Sequence, residues 1–264
     1  MRLLHVADPE DPRVALYRGV RDPELLRDHG VFIAEGRLVV QRLIEQSPFR
    51  VRSVLVTPPA LTALAATLAS SPADVFTVSL DVMALITTYN VHRGCLAIAE
   101  RAAAATLDAL LASRGPLVVL ENVGNPDNVG GTFRNAAAFG ASGVVLSPGC
   151  SDPLYRKAIR TSMAATLTTP FVVAEPWPES VERLRLAGWK VIALSPGADR
   201  ELADVARGVG STHTALLLGH EGEGLSVDAA RLATHHARIP MAAGADSLNV
   251  ATAAAVALYE LRTI

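Results

Sequence analysis

The chain after Pro116 contains several short, almost uninterrupted apolar runs, and these constrain its fold more than any other feature. Strands that are apolar on both faces belong to parallel sheets covered by helices on both sides. We predict six such strands, at residues 117–120, 144–146, 171–174, 191–194, 215–218 and 237–239. Helical patterns lie between and after them, at 129–139, 154–165, 179–187, 227–233 and 248–261. The pattern predicts an α/β domain with a mostly parallel sheet over residues 116–264.

The first hundred residues show a different, more compact alternation of strands and helices. We predict strands at 31–34, 51–56, 75–78 and 94–99, and helices at 13–27, 38–46, 60–69 and 81–87, the first broken at Pro23. This indicates a small α/β domain over residues 1–105, joined by a linker at 106–115 to the second domain. Between residues 12 and 52 there are eight arginines and five acidic residues, so this domain has a mildly basic character.

Composition excludes several functional classes. No apolar run approaches the roughly 18 to 20 residues of a membrane span, and the N-terminus lacks the pattern of a secretory signal. We therefore expect a cytoplasmic protein with no membrane association. The two cysteines, Cys95 and Cys150, lack the spacing of a zinc site, and we predict no metal. The net charge is −2, whereas a non-specific nucleic-acid binder carries an excess of positive charge, so any nucleic-acid contact must be local.

Two polar segments follow buried strands, at the sheet edge where open α/β folds bind ligands. The first, ENVGNPDNVGGTFRN, places Asn128 near the start of a helix and Arg134 nearly two turns further on; we expect both to face the loop above the sheet. It matches neither a dinucleotide nor a P-loop motif. The second, ALLLGHEGEGLS, contains Gly219 and Glu221, and its carboxylates suit a cationic or hydroxyl-bearing ligand better than a phosphate.

The third segment, IPMAAGADSLNVATAAAVALYE, leads from a strand through a glycine–alanine loop into an apolar helix. Ser247 is predicted to be the N-cap of this helix, with Asn249 inside its first turn. The helix has almost no charge before Glu260 and is expected to be buried nearly all round. Each segment also has a plainer interpretation, a capped core helix or a surface arginine, and only their combination favours a binding site.

Together the three segments resemble the motifs of the SpoU (TrmH) family of SPOUT-class RNA methyltransferases, in the same order. The resemblance implies a deep trefoil knot and S-adenosylmethionine as cofactor. It also implies a homodimer acting on structured ribosomal or transfer RNA. The first domain, through VFIAEGRLVVQRLIE and LITTYNVHRGCLAIAE, resembles the L30-like substrate-binding domain of many members.

Carried over by position, the resemblance assigns roles to individual residues. The cofactor would contact the backbone of Gly219, Ile239 and Leu248. The reaction site would consist of Arg134, Asn128, Glu221, Ser247 and Asn249. In the first domain, Arg37 and Arg93 are expected to contact RNA phosphates. Departures from the usual pattern are Ala251, the pair Thr132–Phe133, and His92–Arg93–Gly94 in place of a Gln–Gly.

The leading hypothesis is methyl transfer from S-adenosylmethionine to a ribose 2′-hydroxyl of ribosomal or transfer RNA. The alternatives are base methylation by the same fold, a non-catalytic RNA-binding homologue, and a small-molecule α/β enzyme. The first domain and its arginines make the last less favoured, and the presence of Arg134, Glu221 and Asn249 counts against a non-catalytic module.

Overall fold

The computed structural model describes residues 2–87, 91, 94–102 and 105–262. The chain divides into two compact units: Met1–Ala103 with Leu154–Thr168, and Ala104–Pro153 with Thr169–Ile264. Residues 154–168, which the sequence analysis assigned to the second domain, therefore pack within the first unit. Part of the expected linker forms a short helix in the second unit. The independence of two domains with the boundaries given above stays a prediction.

The first unit is built on a mixed sheet in which parallel and antiparallel pairs meet. Its described strands are β1 (Arg2–His5), β2 (Val31–Glu35), β3 (Val51–Val56), β4 (Asp74–Thr77) and β5 (Cys95–Glu100), in the order β1-β4-β3-β5-β2. β4 pairs in parallel with β1 and β3, whereas β5 is antiparallel to β3 and β2. Its helices are α1 (Asp22–His29), α2 (Arg37–Gln46), α3 (Pro58–Ala63), α4 (Ala65–Ala69) and α5 (Leu80–Thr87).

Two differences from the sequence prediction concern the start of the chain. The predicted helix at 13–27 is a 3₁₀ turn, Pro12–Tyr17, followed by α1. Asp11 caps the 3₁₀ turn by accepting from the Arg13 amide, and Pro23 lies in the first turn of α1, where its missing N–H costs nothing. β1 was not predicted, because its four residues do not alternate between buried and exposed positions.

The helix α8 (Arg156–Thr161) contacts the edge strand β2 of the first sheet, although in sequence it comes after every strand of that sheet. Arg156 fixes it there: its Nε donates to Asp22 at 2.5 Å, and its backbone amide donates to the same carboxylate at 2.9 Å. Arg42 of α2 donates to the Met163 carbonyl just after α8, at 2.6 Å. Covering an edge strand with a helix protects its unpaired backbone groups.

The second unit has the parallel sheet that the apolar runs predicted. Its described strands are β6 (Leu117–Leu120), β7 (Gly143–Leu146), β8 (Phe171–Val173), β9 (Lys190–Leu194), β10 (Thr214–Leu218) and β11 (His235–Ala237). The order is β11-β9-β10-β6-β7-β8, and every neighbouring pair is parallel. All residues of β6, β7 and β10 are buried, as expected for strands covered on both faces. The predicted α/β fold is confirmed.

The helices of the second unit are α6 (Leu107–Leu111), α7 (Pro126–Ala138), α9 (Glu179–Leu186), α10 (Leu202–Val209), α11 (Val227–Arg231) and α12 (Val250–Leu261). The helix α10 was not predicted from the sequence, although its buried residues follow helical spacing: Leu202, Val205, Ala206 and Val209.

The packing of α12 on α7 brings two of the predicted motifs together. A side chain at Gly131 of α7 would put its Cβ 2.9 Å from the Cβ of Ala251, so glycine permits the close approach. Asn135 donates to the Ala251 carbonyl at 2.7 Å. The expectation that α12 is buried nearly all round is wrong for the single chain. One face is buried, but Tyr259 on the other is 47% exposed.

No helix within the described residues has the length and apolar character needed to cross a membrane. The trefoil knot that the resemblance implies stays a prediction.

Candidate functional site

A cavity of about 540 Å³ opens at the carboxyl ends of three neighbouring strands of the second unit, β11, β9 and β10. This is the sheet edge at which open α/β folds bind ligands, and the volume is within the usual range for small-molecule sites. Gly219, Ile239 and Leu248, the predicted cofactor residues, all line it. So do Glu221 and Ser247. The cofactor role of these residues stays a prediction, but the fold gathers them in one place.

The glycine-rich loop after β10 forms one wall of this cavity. The His220 amide donates to the Gly224 carbonyl at 3.0 Å, and the Gly224 amide donates back to His220 at 2.9 Å, which closes a tight turn. A Cβ at Gly219 would lie 2.3 Å from the Gly224 carbonyl carbon, so no larger residue fits there without moving the backbone. Gly224 itself has a φ of +72°, a conformation that favours glycine.

The chemistry of the lining suits a cation with apolar parts. Its charged residues are all acidic, with no lysine or arginine among the described lining residues: Glu221, Glu223 and Asp246. Apolar side chains supply the remaining surface, including Leu194, Leu218, Ile239 and Val250. Such a cavity favours a positively charged ligand with a flat or aliphatic portion and disfavours a phosphate.

Three of the predicted reaction-site residues form one hydrogen-bonded group, although they are far apart in sequence. Asn128 and Asn249 both donate their side-chain amides to Oε1 of Glu221, the second at 3.0 Å. Asn249 also donates to Oδ1 of Asn128 at 2.8 Å. Asn128 is 7% exposed, whereas Glu221 and Asn249 are at the surface of the unit. We refer to these three side chains as the amide–carboxylate group.

Asn249 has a second function that the sequence analysis assigned to Ser247. Its Oδ1 accepts from the amides of Ala251 at 3.0 Å and Thr252 at 3.3 Å, so Asn249 is the N-cap of α12. The helix begins at Val250 rather than Leu248, and Ser247 lies two residues before the cap. The assignment of Ser247 as N-cap was wrong because both residue types cap well, and only the backbone path distinguishes them.

The hydrogen-bonding capacity of Asn249 is fully used. An amide side chain has two N–H donors and one oxygen acceptor with two lone pairs. In Asn249 both donors and both acceptor positions are occupied, as described above. The residue therefore holds Glu221 and the helix in place rather than presenting a free group to a ligand. Oε2 of Glu221 accepts no hydrogen bond within the described residues, which leaves this oxygen for a ligand.

Arg134 does not join this group. It is exposed on α7 and has no hydrogen bond or ion pair within the described part of the chain. Six residues correspond to about 240° around a helix, so Arg134 and the buried Asn128 point in different directions. Within one chain Asn128 therefore belongs to this group and Arg134 does not, and the reaction role of Arg134 stays a prediction.

The sequence pattern did not point to Glu121, which directly follows β6 and is 1% exposed. Its carboxylate accepts from Trp177 and Ser226. The available signal was an acidic residue immediately after a fully buried strand, a position where a charge needs several partners.

Of the two predicted RNA-contacting arginines, Arg93 lies outside the described residues. Arg37 is the first residue of α2 and is half-buried, and its Nε is buried without a hydrogen-bond partner among the described residues. Burial raises the pKa of the nearby Cys95 thiol to about 12, and the charge of Arg37 opposes that rise. Contact of Arg37 with RNA stays a prediction.

Comparison with known proteins agrees with this geometry. Residues 115–259 match the model of the SpoU rRNA Methylase family. An uncharacterised tRNA/rRNA methyltransferase from Mycobacterium bovis is 40% identical over 97% of this chain and 90% of its own length.

Two solved structures are similar over nearly the whole chain. The AdoMet-bound rRNA methyltransferase from Sinorhizobium meliloti has a TM-score of 0.83 and 28% identity, covering 98% of this chain and 97% of its own. The AdoMet complex of the SpoU methyltransferase AviRb from Streptomyces viridochromogenes has a TM-score of 0.78 and 25% identity, covering 96% and 97%. With three segments in the expected order and a full-length relative, this chain belongs to the SpoU rRNA methylase family.

Proposed function

We propose that the protein transfers a methyl group from S-adenosylmethionine to a ribose 2′-hydroxyl of ribosomal or transfer RNA. The observation that carries the proposal is that the second and third segments line one cavity, and that Asn128 of the first segment is hydrogen-bonded to the Glu221 carboxylate at its wall. Membership of the SpoU rRNA methylase family supports RNA methylation, and the AdoMet-bound relatives support the cofactor.

The lining of the cavity fits this cofactor. S-adenosylmethionine contains a sulfonium and an ammonium, for which carboxylates are suitable neighbours, and an adenine that needs apolar surface. Gly219, Ile239 and Leu248 would hold it, in agreement with the roles implied by the family resemblance. The bound cofactor supplies an already activated methyl group. The protein must then align the acceptor oxygen, exclude water and accommodate the proton that leaves the hydroxyl.

Arg134 is assigned an electrostatic role in this proposal. A guanidinium is effectively always protonated in proteins, so it is a poor base for the ribose hydroxyl. Arg134 instead binds the phosphate beside the target ribose and stabilises the developing alkoxide, while that phosphate or a water receives the proton. On this view Arg134→Lys keeps measurable activity, and Arg134→Ala loses about 10² to 10³ in rate. A Lys variant whose single-turnover rate is negligible at neutrality and recovers near the lysine pKa would show that residue 134 acts as a base.

The exposure of Arg134 in one chain supports a homodimer in which it reaches the pocket of a second copy. Complementation tests this arrangement. Arg134→Ala and Glu221→Ala dimers each lose most of their activity in this proposal, but a mixed dimer contains one pocket with both residues. Methyl transfer that returns on mixing supports the shared site. Activity that never returns, although mixed dimers form, indicates that Arg134 acts within its own chain. The cytoplasmic location expected from the sequence stays a prediction.

The reaction itself is tested by incubating the protein with labelled S-adenosylmethionine and total RNA from cells that lack the gene. Ribose methylation protects the adjacent phosphodiester from alkali, so the modified RNA yields an alkali-resistant dinucleotide. Label that appears in a modified base instead would favour the base-methylation alternative. Absence of transfer to any RNA, with cofactor binding intact, would favour a non-catalytic RNA-binding protein.

A further inference from the structure

Glu121 is a buried carboxylate that holds both ends of the glycine-rich loop. Its backbone amide donates to the Leu218 carbonyl at 2.9 Å, at the end of β10 where the loop begins. Its side chain accepts from Ser226, where the loop ends: Oε2 from the Ser226 amide at 2.8 Å, and Oε1 from the Ser226 hydroxyl at 2.7 Å. The two residues that flank the loop 219–225 are therefore both hydrogen-bonded to Glu121.

A third donor completes this arrangement. The indole Nε1 of Trp177 donates to Oε1 of Glu121 at 2.8 Å. Indole and backbone N–H groups can only donate, so both carboxylate oxygens of Glu121 serve as acceptors. Burying a charged group is costly unless its hydrogen bonds are made, and this one has three. Glu121 itself does not line the cavity.

The loop that Glu121 holds has little packing of its own. His220, Glu221, Gly222, Glu223 and Gly224 are all exposed. Besides the bonds of Glu221 to Asn128 and Asn249, the hydrogen bonds at the two ends of the loop therefore help to fix its position. This loop forms one wall of the cavity and contains Glu221, so its position determines the shape of the site.

We infer that Glu121 is a positioning residue for cofactor binding: through Ser226 it fixes the wall of the cavity that Glu221 and Gly219 form. Trp177 keeps the carboxylate oriented. The inference rests on the proposed function in one respect, namely that the cavity holds S-adenosylmethionine. It goes beyond that function because Glu121 acts from outside the cavity and touches neither cofactor nor substrate in this assignment.

The test uses Glu121→Gln in the full-length protein. Glutamine has nearly the same shape, but its amide nitrogen must face either the Ser226 amide or the Trp177 indole. In either orientation two N–H donors face each other and one hydrogen bond is lost. We expect the dissociation constant for S-adenosylmethionine, measured by calorimetry well below the melting temperature, to rise by about tenfold, the scale of one charge-assisted hydrogen bond. Hydrogen exchange of the amides at 220–226 should accelerate in the ligand-free protein.

Thr214→Val is the matched control. Thr214 is buried at the opposite end of β10, and its hydroxyl donates to the Gly210 carbonyl at 2.8 Å. The control should lower the melting temperature without changing cofactor affinity or loop exchange. If Glu121→Gln behaves in the same way as Thr214→Val, Glu121 is only a stabilising residue and the inference is wrong.

A double variant sharpens the result. Trp177→Phe removes the indole donor, so the side-chain nitrogen introduced by Glu121→Gln can face the Ser226 hydroxyl, which is able to accept. Adding Trp177→Phe should therefore recover part of the lost affinity, whereas additive losses would contradict the assigned geometry. If Glu121→Gln does not fold, Ser226→Ala replaces it, and unchanged affinity and exchange in that variant would overturn the inference. Failure of the wild-type protein to bind S-adenosylmethionine would instead refute the proposed function, while hydrogen exchange would still test the role of Glu121.

Discussion

Substitutions at Asn249 can separate its two functions, capping α12 and holding Glu221. Asn249→Asp keeps a side chain that caps a helix as well as asparagine does, but it removes the amide donor. It also places a second carboxylate where the Asn249 amide now lies, 3.0 Å from Oε1 of Glu221. Asn249→Ser keeps the cap without adding a charge, and Asn249→Ala removes both functions.

The expected losses differ because the causes differ. Loss of the cap in Asn249→Ala should cost about 1 kcal/mol of unfolding free energy. Two unit charges at 3 Å repel by about 1.4 kcal/mol in water and about 5.5 kcal/mol at an effective dielectric constant of 20. Glu221 and Asn249 are exposed, so the lower value applies and relaxation of the side chains reduces it further. We expect Asn249→Asp to lose about 1 kcal/mol at pH 8, and Asn249→Ser about half a kcal/mol or less.

The measurement is denaturant unfolding followed by tryptophan fluorescence, since both tryptophans, Trp177 and Trp189, are in the second unit. Protonation of the carboxyl introduced by Asn249→Asp removes the repulsion, so the difference between Asn249→Asp and Asn249→Ser should be smaller in acid than at pH 8. The unfolding free energy of Asn249→Asp should therefore be close to that of Asn249→Ser at low pH and fall below it as the pH rises. If the two variants have the same stability at every pH, the Asn249 side chain does not contact Glu221.

Three further outcomes are expected. Thr132 is fully buried with no hydrogen-bond partner for its hydroxyl among the described residues, so Thr132→Val should leave the unfolding free energy unchanged or raise it by up to about 1 kcal/mol; a clear loss would reveal a hidden partner. Burial raises the pKa of Cys95 from 9.0 to about 12, so the folded state retains a proton that the unfolded chain loses. Stability should therefore fall above pH 9 by about 1.4 kcal/mol per pH unit more in wild type than in Cys95→Ala, and equal slopes in alkaline unfolding would contradict this. Because the described lining is acidic, cationic S-adenosylmethionine should bind severalfold more tightly than its neutral thioether product, and combining Glu223→Gln with Asp246→Asn should reduce that ratio in calorimetry; an unchanged ratio would show that these charges do not sense the sulfonium.

The second sheet could be predicted from sequence because its signal is local. Runs such as 117–120 and 214–218 are buried on both faces, so their composition alone identifies them. Parallel strands also bring their carboxyl ends to one edge, which is why segments following different strands could be expected to meet. The packing of residues 154–168 in the first unit had no such signal. It depends on the ion pair of Arg156 with Asp22, and their separation of 134 residues leaves no trace in the local pattern.

The amide–carboxylate group shows a similar limit. Asn128, Glu221 and Asn249 could be selected as polar residues beside buried strands, and the family resemblance selects the same three. Their mutual hydrogen bonds, and the resulting saturation of Asn249, depend on the packing of α12 against α7. The two asparagines hydrogen-bond Glu221, and Glu121, which the sequence did not suggest, hydrogen-bonds the end of its loop. The reaction-site role of the asparagines stays a prediction.

Helical spacing places Arg134 and Asn128 on different faces of α7. Asn128 cannot turn away from the cavity side of α7, since its amide is bonded to Glu221 and its oxygen accepts from Asn249. With Asn128 fixed, Arg134 must point about 240° around the helix, toward solvent in a single chain. Arg134 does not line the cavity of its own chain, so the proposed role in the reaction would place it on RNA outside that cavity or at the cavity of another copy. The exposed face of α12, with Tyr259 at 47%, lies on the helix that packs against α7, so both features favour a surface that a second chain covers. A complete reaction site would then need two chains, and the complementation of Arg134→Ala by Glu221→Ala measures that requirement directly.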